Sequence, residues 1–123
     1  MFNQTAHARR DLEAGADYLL RSAGLLWSVF DGDVLRGLVF LAVLRLAGDE
    51  GGPVRLTAVA RSLRMPIETT RRHLLKLEAG GFVVRAPNGA VEARLLDRPD
   101  LREALAANSA NLAALRAAAE PCS

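Results

Sequence analysis

Cysteine is almost absent from this sequence, and other groups that build common reactive sites are scarce as well. The single cysteine, Cys122, excludes an intramolecular disulfide and a cysteine-rich zinc site. The two histidines, His7 and His73, lie far apart along the chain. The glycines of residues 48–52 lack the spacing, and the following lysine and serine, of a phosphate-binding loop. We therefore expect a protein that is not an enzyme and that needs no metal and no cofactor.

Long apolar runs are also missing, and lysine is scarce. The longest apolar run, residues 38–44, has seven residues, whereas a membrane span needs about 20. Charged residues near the N-terminus are followed by a mixed helical segment and not by an apolar signal core. We expect no membrane contact, no secretory signal and, with one cysteine, a cytoplasmic protein. Arginine outnumbers lysine 15 to 1, which we interpret, together with abundant alanine, as the coding bias of a GC-rich bacterium.

The hydrophobic content of the sequence is sufficient for one folded domain over residues 1–123. Half of the residues are hydrophobic, so the chain can bury a core of its own. Apolar residues at alternating steps of four and three predict a helix over residues 8–30. Asp31 to Asp33 then break it, with Asp33 as the expected N-cap of the next helix. That helix, Val34–Ala47, is apolar nearly all round and is predicted to be the most buried element.

The rest of the chain has the pattern of two short helices, a hairpin and a last helix. Thr57 is the expected N-cap of the first short helix, and Pro66 suits the start of the second. An Asn88-Gly89 pair between two β-prone runs predicts a tight hairpin. The predicted elements are helices over residues 58–63, 66–79 and 99–119 and strands over residues 82–85 and 91–95. The fold class is therefore mainly α with a small β-hairpin.

This order of elements over residues 33–96 is that of a winged helix-turn-helix. Residues 56–63, with their L-T…A-x-x-L pattern, and residues 66–83, with L-x-x-L-x-x-x-G, resemble bacterial winged-helix transcription regulators of the broad MarR, ArsR and IclR type. The resemblance implies a winged helix-turn-helix flanked by N- and C-terminal helices, and it implies DNA binding. Arg64 is a departure, because these proteins usually carry glycine at this turn position, where the backbone is often left-handed.

The helix over residues 66–79 has a core side and a polar side. On a helical wheel, the core side carries Ile67, Thr70, Leu74 and Leu77. The polar side offers the long donors and short polar groups that read base edges in the major groove. Arg72 lies centrally and is the predicted base-reading residue, and Glu68 is expected to accept from a cytosine amino group or to orient Arg72. The candidate DNA-binding residues are Glu68, Thr69, Arg71, Arg72, His73 and Lys76 on this helix, Arg64 in the turn, and Arg85 and Arg94 on the wing.

The charges of the chain are segregated. Residues 55–94 hold eight basic and three acidic residues, a net charge of +5, whereas the rest of the chain has a net charge of −3. A basic centre of this kind is the electrostatic footprint of a nucleic-acid-binding protein. The sequence therefore predicts a sequence-specific regulator that binds double-stranded DNA, with helix 66–79 in the major groove and wing 82–95 on the flanking backbone or minor groove.

The flanking helices, residues 8–32 and 97–120, are predicted to form a homodimer. One small winged helix reads few base pairs, so such proteins usually bind two half-sites as pairs. The last helix has a heptad-like seam with Asn108 in its middle, where a polar residue can fix the register. The opposing interpretation is that this helix folds back on its own chain and leaves Asn108 exposed. The predicted interface residues are Leu12, Leu19, Leu26, Leu101, Leu105, Asn108, Leu112 and Leu115.

Two other functions stay open at this stage. A winged helix can serve as a protein–protein interaction module, and it would then have an apolar recognition face. The protein can also sense a small-molecule effector in a pocket between its helices, which Tyr18, Trp27 and Phe30 would line. These aromatic residues are more often core or interface residues.

Overall fold

The structure, a computed structural model, describes residues 2–94 and 98–119. Five helices and two strands follow one another in this part of the chain, which confirms the predicted fold class. The elements are α1 (Phe2–Val29), α2 (Val34–Ala47), α3 (Leu56–Leu63), α4 (Ile67–Ala79), β1 (Val83–Arg85), β2 (Val91–Ala93) and α5 (Pro99–Ala119).

The break between α1 and α2 forms as the sequence predicts. Asp31 and Gly32 have positive φ angles of 55° and 86°, which turn the chain out of α1. The carboxylate of Asp33 then accepts a hydrogen bond of 2.9 Å from the backbone N–H of Arg36 and caps α2. This hydrogen bond lowers the pKa of Asp33 below its usual value. The start of α1 differs, because the helix already begins at Phe2.

Two predicted helix starts are wrong by one or two residues. The structure begins α3 at Leu56 with Arg55 in the N-cap position, so Thr57 lies inside the helix and does not cap it. The shift of this helix start has a long-range cause. Val54 exchanges backbone hydrogen bonds of 2.7 and 2.8 Å with Val91 and stays extended, so the chain turns into α3 directly after it. Similarly, Pro66 is the extended N-cap residue of α4 and not its first residue.

The core lies on one face of α2. Val39, Phe40 and Val43 are fully buried, and α2 contributes more buried residues than any other described helix, as predicted. Leu38 and Leu41 point away from these residues and remain about 40% exposed. Leu35 and Leu46, near the two ends of α2, are exposed to a similar extent.

Three phenylalanines join the helices to the hairpin. The ring centroids of Phe30 and Phe40 are 5.7 Å apart, and Phe82 lies 4.8 Å from Phe30 and 5.9 Å from Phe40. Such tilted and edge-on contacts suit aromatic rings. Because Phe30 follows α1, Phe40 belongs to α2 and Phe82 precedes β1, this cluster fixes the position of the hairpin relative to the helices.

The hairpin is the predicted wing. Strands β1 and β2 pair antiparallel, with Val84 opposite Glu92. In the turn, the N–H of Ala86 donates to Ala90 O at 2.7 Å, and Gly89 has a φ of 87°, which glycine adopts without strain. Together with α2, α3 and α4, the hairpin forms a winged helix-turn-helix, and α1 and α5 flank it.

Helix α5 packs along α1 of the same chain. The hydroxyl of Ser22 donates to Asn108 Oδ1 at 2.8 Å, and Asn108 Nδ2 donates to the hydroxyl of Tyr18 at 3.3 Å. Leu101 is buried in the core of its own chain. The two terminal helices therefore form an intramolecular pair, and Asn108 is half-buried and hydrogen-bonded within its own chain instead of exposed.

Candidate DNA-binding surface

The turn between α3 and α4 depends on Arg64. Its backbone is left-handed, with φ 54° and ψ 41°, and its N–H caps the carboxyl end of α3. This confirms that the position requires the conformation that glycine usually supplies. The side chain of Arg64 is exposed beside α4, so a positive charge stands where related turns have no side chain.

Replacing Arg64 with glycine is expected to stabilise the fold. The substitution removes the strain of a left-handed non-glycine residue, so the free energy of unfolding should rise by up to about 1 kcal/mol. Urea unfolding measures this. Arg61→Gly is the matched control, since Arg61 lies inside α3 and glycine costs about 1 kcal/mol in a helix. An Arg64→Gly variant no more stable than wild type would contradict the strain.

Helix α4 presents a polar face to solvent. Thr70, Leu74 and Leu77 are buried as predicted, but Ile67 is 46% exposed, which corrects its assignment to the core side. The reason is that the core reaches α4 only from Thr70 onward, whereas Ile67 directly follows the extended Pro66. Thr69 is half-buried at the edge of the polar face. The exposed residues of this face are Glu68, Arg71, Arg72, Leu75 and Lys76.

His73 lies at the flank of α4, against the start of α2. Its side chain is half-buried, and its Nδ1 is buried without a hydrogen-bond partner among the described residues. Burial lowers the pKa of His73, and the nearby carboxylate of Asp33 opposes this only partly. Burial therefore favours the neutral form of His73, and packing between α4 and α2 explains this residue better than a phosphate contact.

Two arginines of the surface are held by glutamates. Arg71 forms an ion pair with Glu68, so the expectation that Glu68 orients Arg72 is wrong. Residues three apart on a helix are neighbours just as residues four apart are, and here the nearer arginine takes the carboxylate. On the wing, Arg85 Nη2 lies 2.6 Å from Glu78 Oε1 in the last turn of α4.

The other two basic side chains of α4 are not held by a carboxylate. Arg72 and Lys76 are exposed and form no ion pair within the described part of the chain. Arg94 is exposed on the wing after β2. Arg64, Arg72 and Lys76 thus bring unneutralised positive charge to the turn and to α4, and Arg85 and Arg94 extend the basic surface along the wing.

A cleft between α4 and the wing escaped the sequence analysis. It has a volume of about 330 Å³, and Arg71, Glu78 and Arg85 are among its lining residues, together with Leu75 and Gly89. Glu78 and Arg85 are seven residues apart and lie on different elements. Only the fold brings these two side chains together, so no local pattern in the sequence indicates their pairing.

A second, larger cavity of about 490 Å³ lies between α1, α2 and α5. Its lining is apolar except for the hydrogen-bonded cluster of Tyr18, Ser22 and Asn108. Of the aromatic residues expected to line a pocket, Tyr18 and Phe30 do so, whereas Trp27 is exposed and lies outside the lining.

None of the helices in residues 2–94 and 98–119 combines the length with the hydrophobicity of a membrane span. The same residues contain no group of three or more histidine, cysteine or acidic side chains that is placed to hold a metal ion.

The central part of the chain is similar to a known protein family. Residues 38–87 match the family model of the IclR helix-turn-helix domain. No curated protein and no solved structure shows a significant match to the chain. The matched range includes α3, the turn, α4 and β1, which are the elements that carry the basic surface. Residues 38–87 are therefore similar to the IclR helix-turn-helix domain, in agreement with the winged helix-turn-helix that these elements form.

Proposed function

We propose that the protein regulates transcription by binding double-stranded DNA sequence-specifically, with α4 in the major groove and the hairpin on the flanking backbone or minor groove. The observation that supports this most is the exposed face of α4, where Arg72 and Lys76 project without an ion-pair partner among the described residues. Long, unneutralised donors on a helix of this kind can reach guanine edges and phosphates. Apart from Leu75 and the exposed Ile67 beside it, the face is polar, which favours DNA over a protein partner.

The residues of this surface have different roles in the proposal. Arg72 reads a base, because it lies centrally on the exposed face and its guanidinium can bind guanine bidentately. Thr69 approaches the DNA near the helix start. Basic side chains around them position the duplex without reading its sequence. These positioning residues are Arg64, Arg71, Lys76, Arg85 and Arg94.

A titration across salt concentration tests the function. A labelled duplex pool of random sequence should bind at low salt and should lose affinity as salt rises, because bound phosphates release counterions. Repeated selection from the same pool should then enrich one sequence, since base contacts specify the site. Undetectable binding at low salt would contradict the proposal.

We further propose that the protein acts as a homodimer through the apolar surface of its flanking helices. Leu12 and Leu19 are 72% and 67% exposed on α1, and Leu105 is exposed on α5. Within the predicted interface, Leu26, Leu112 and Leu115 are half-buried by their own chain. Exposed leucines of neighbouring elements extend this surface, and contiguous apolar patches mark association sites. These additional leucines are Leu20 on α1 and Leu38 and Leu41 on α2.

A charge in this patch should separate the subunits. Leu19→Glu is expected to weaken dimerisation at least about tenfold, because a carboxylate would be desolvated at the interface. The fold should survive, since Leu19 is exposed in the single chain. Sedimentation equilibrium measures the change. Leu46→Glu, which places the same charge near α3 instead, is the matched control and should leave the dimer intact. A wild-type protein that is monomeric at tens of micromolar would exclude the homodimer.

Small-molecule sensing is the second candidate, favoured by the cavity between α1, α2 and α5. Its apolar lining and its one hydrogen-bonding cluster fit an uncharged, mainly apolar molecule with one polar end. The neutral dye N-phenyl-1-naphthylamine is a suitable probe. Saturable binding of one dye per chain, abolished by Ser22→Phe, would support an effector site. The absence of saturable binding would contradict the effector site.

A further inference from the structure

Each of the two arginines in the cleft between α4 and the wing already has a glutamate partner. Arg71 and Arg85 both line this cleft of about 330 Å³. Arg71 is paired with Glu68, one helical turn earlier, and Arg85 is paired with Glu78. Both cations are therefore neutralised within the chain before any DNA arrives.

The cleft suits one strand of a sugar–phosphate backbone. Leu74 and Val91 in its lining are buried, and Leu75 is a further apolar lining residue. Arginine forks match phosphate geometry and bind it bidentately. An apolar floor beside two guanidinium groups thus offers a surface for the deoxyribose and two donors for phosphates.

We infer that Glu68 and Glu78 compete with DNA phosphates for Arg71 and Arg85. In the free protein the two carboxylates hold the arginines, and they release them when a DNA strand enters the cleft between α4 and the wing. The inference rests on the proposed DNA-binding function and adds to it two acidic residues that set its strength.

Exposure of the pairs makes this exchange feasible. The side chains of Arg85 and Glu78 are 45% and 37% exposed, and the Arg71–Glu68 pair is exposed as well. Solvent-exposed ion pairs are weak. Arg85 contacts Glu78 through one nitrogen and one oxygen, Nη2 and Oε1, so a phosphate that binds the guanidinium with two oxygens can displace the carboxylate. Arg72 has no ion-pair partner among the described residues, so its contact with DNA needs no such exchange. The competition therefore concerns the backbone contacts and not the base-reading contact.

The competition has a distinct signature in the salt dependence. An arginine that contacts a phosphate adds about one unit to the slope of log affinity against log salt. An arginine that must first leave a carboxylate adds less, because the carboxylate had already neutralised it. Removing the carboxylate should therefore tighten binding and steepen the slope at the same time.

Glu78→Gln tests the inference with a fluorescein-labelled duplex of random sequence, since phosphate contacts do not depend on sequence. The variant should bind about two- to fivefold more tightly at low salt, with a steeper slope. In an Arg85→Gln background the same substitution should have no effect, because the competed arginine is gone. Glu103→Gln on α5 removes an equal charge away from the cleft and should change nothing. Thermal melts verify that the variants remain folded.

The outcomes separate the inference from the function on which it rests. Unchanged or weaker binding by Glu78→Gln would overturn the inference. An equal gain in the Arg85→Gln background would also overturn it, because Glu78 would then act by simple repulsion of DNA. Wild-type protein that does not bind the duplex at all would overturn the proposed function, and the inference with it.

Discussion

Arg72→Ala is expected to weaken binding to the selected DNA sequence by about 5- to 100-fold and to relax discrimination at one base pair. Arg72 is exposed on α4 and has no ion-pair partner among the described residues. It can therefore form a bidentate contact with guanine without first breaking an interaction in the protein. Losing this contact costs affinity where the correct base is present and costs little where it is not. Competition titrations with single-base variants of the selected sequence measure both effects.

Lys76→Ala is the control that separates base reading from phosphate binding. Its loss should weaken binding to all sequences alike and should lower the salt slope by about one. Arg116→Ala, in the last turn of α5, should change neither quantity. If affinity stays the same after Arg71→Ala and after Arg72→Ala, the assignment of α4 as the recognition helix is wrong.

Local signals in the sequence predicted most elements of the fold. The bounds of α2 and α5 agree with the periodicity and the capping residues, and Asp33 caps α2 with its side chain as predicted. The Asn88-Gly89 pair marks the turn of the hairpin. Even the left-handed Arg64 was indicated, by the glycine that usually occupies its place. Each of these features depends on residues a few positions apart, so the sequence itself contains the cause.

Two of the errors arise where distant residues meet. The start of α3 is set by the bridge between Val54 and Val91, which no capping rule at Thr57 can anticipate. Asn108 has the spacing of a dimer seam, yet its hydrogen-bond partners are Tyr18 and Ser22 of its own chain. A helical pattern shows which residues share a face, but it does not show which helix covers that face.

The candidate DNA-binding surface also has one part that local sequence patterns predict and one part that only the fold determines. Helix periodicity identified the exposed face of α4, because exposure there follows the wheel from Thr70 onward. The pairing of Arg85 with Glu78 requires the wing to lie against the last turn of α4. That placement comes from the packing of Phe82 against Phe30 and Phe40, and hence from the core.

Phe40→Ala is expected to lower the free energy of unfolding by about 3–5 kcal/mol. Phe40 is 1% exposed and contacts the rings of both Phe30 and Phe82. Its truncation removes buried apolar surface and leaves a cavity at the point where α1, α2 and the hairpin meet. Domains of this size are stable by only about 5–15 kcal/mol, so the variant should lie close to the threshold of folding. Urea unfolding followed by circular dichroism measures the loss.

Two further variants show whether the loss comes from the aromatic cluster. Leu35→Ala truncates an exposed side chain of the same helix and should cost less than about 1 kcal/mol. Phe40→Leu retains most of the buried volume and should fall between the two. Because leucine retains most of the contact with Phe82 and α4 is not altered, Phe40→Leu should keep nearly wild-type DNA affinity wherever it is folded. Reduced affinity in the fully folded variant would mean that Phe40 positions the wing for DNA, through Phe82, and does not only stabilise the core.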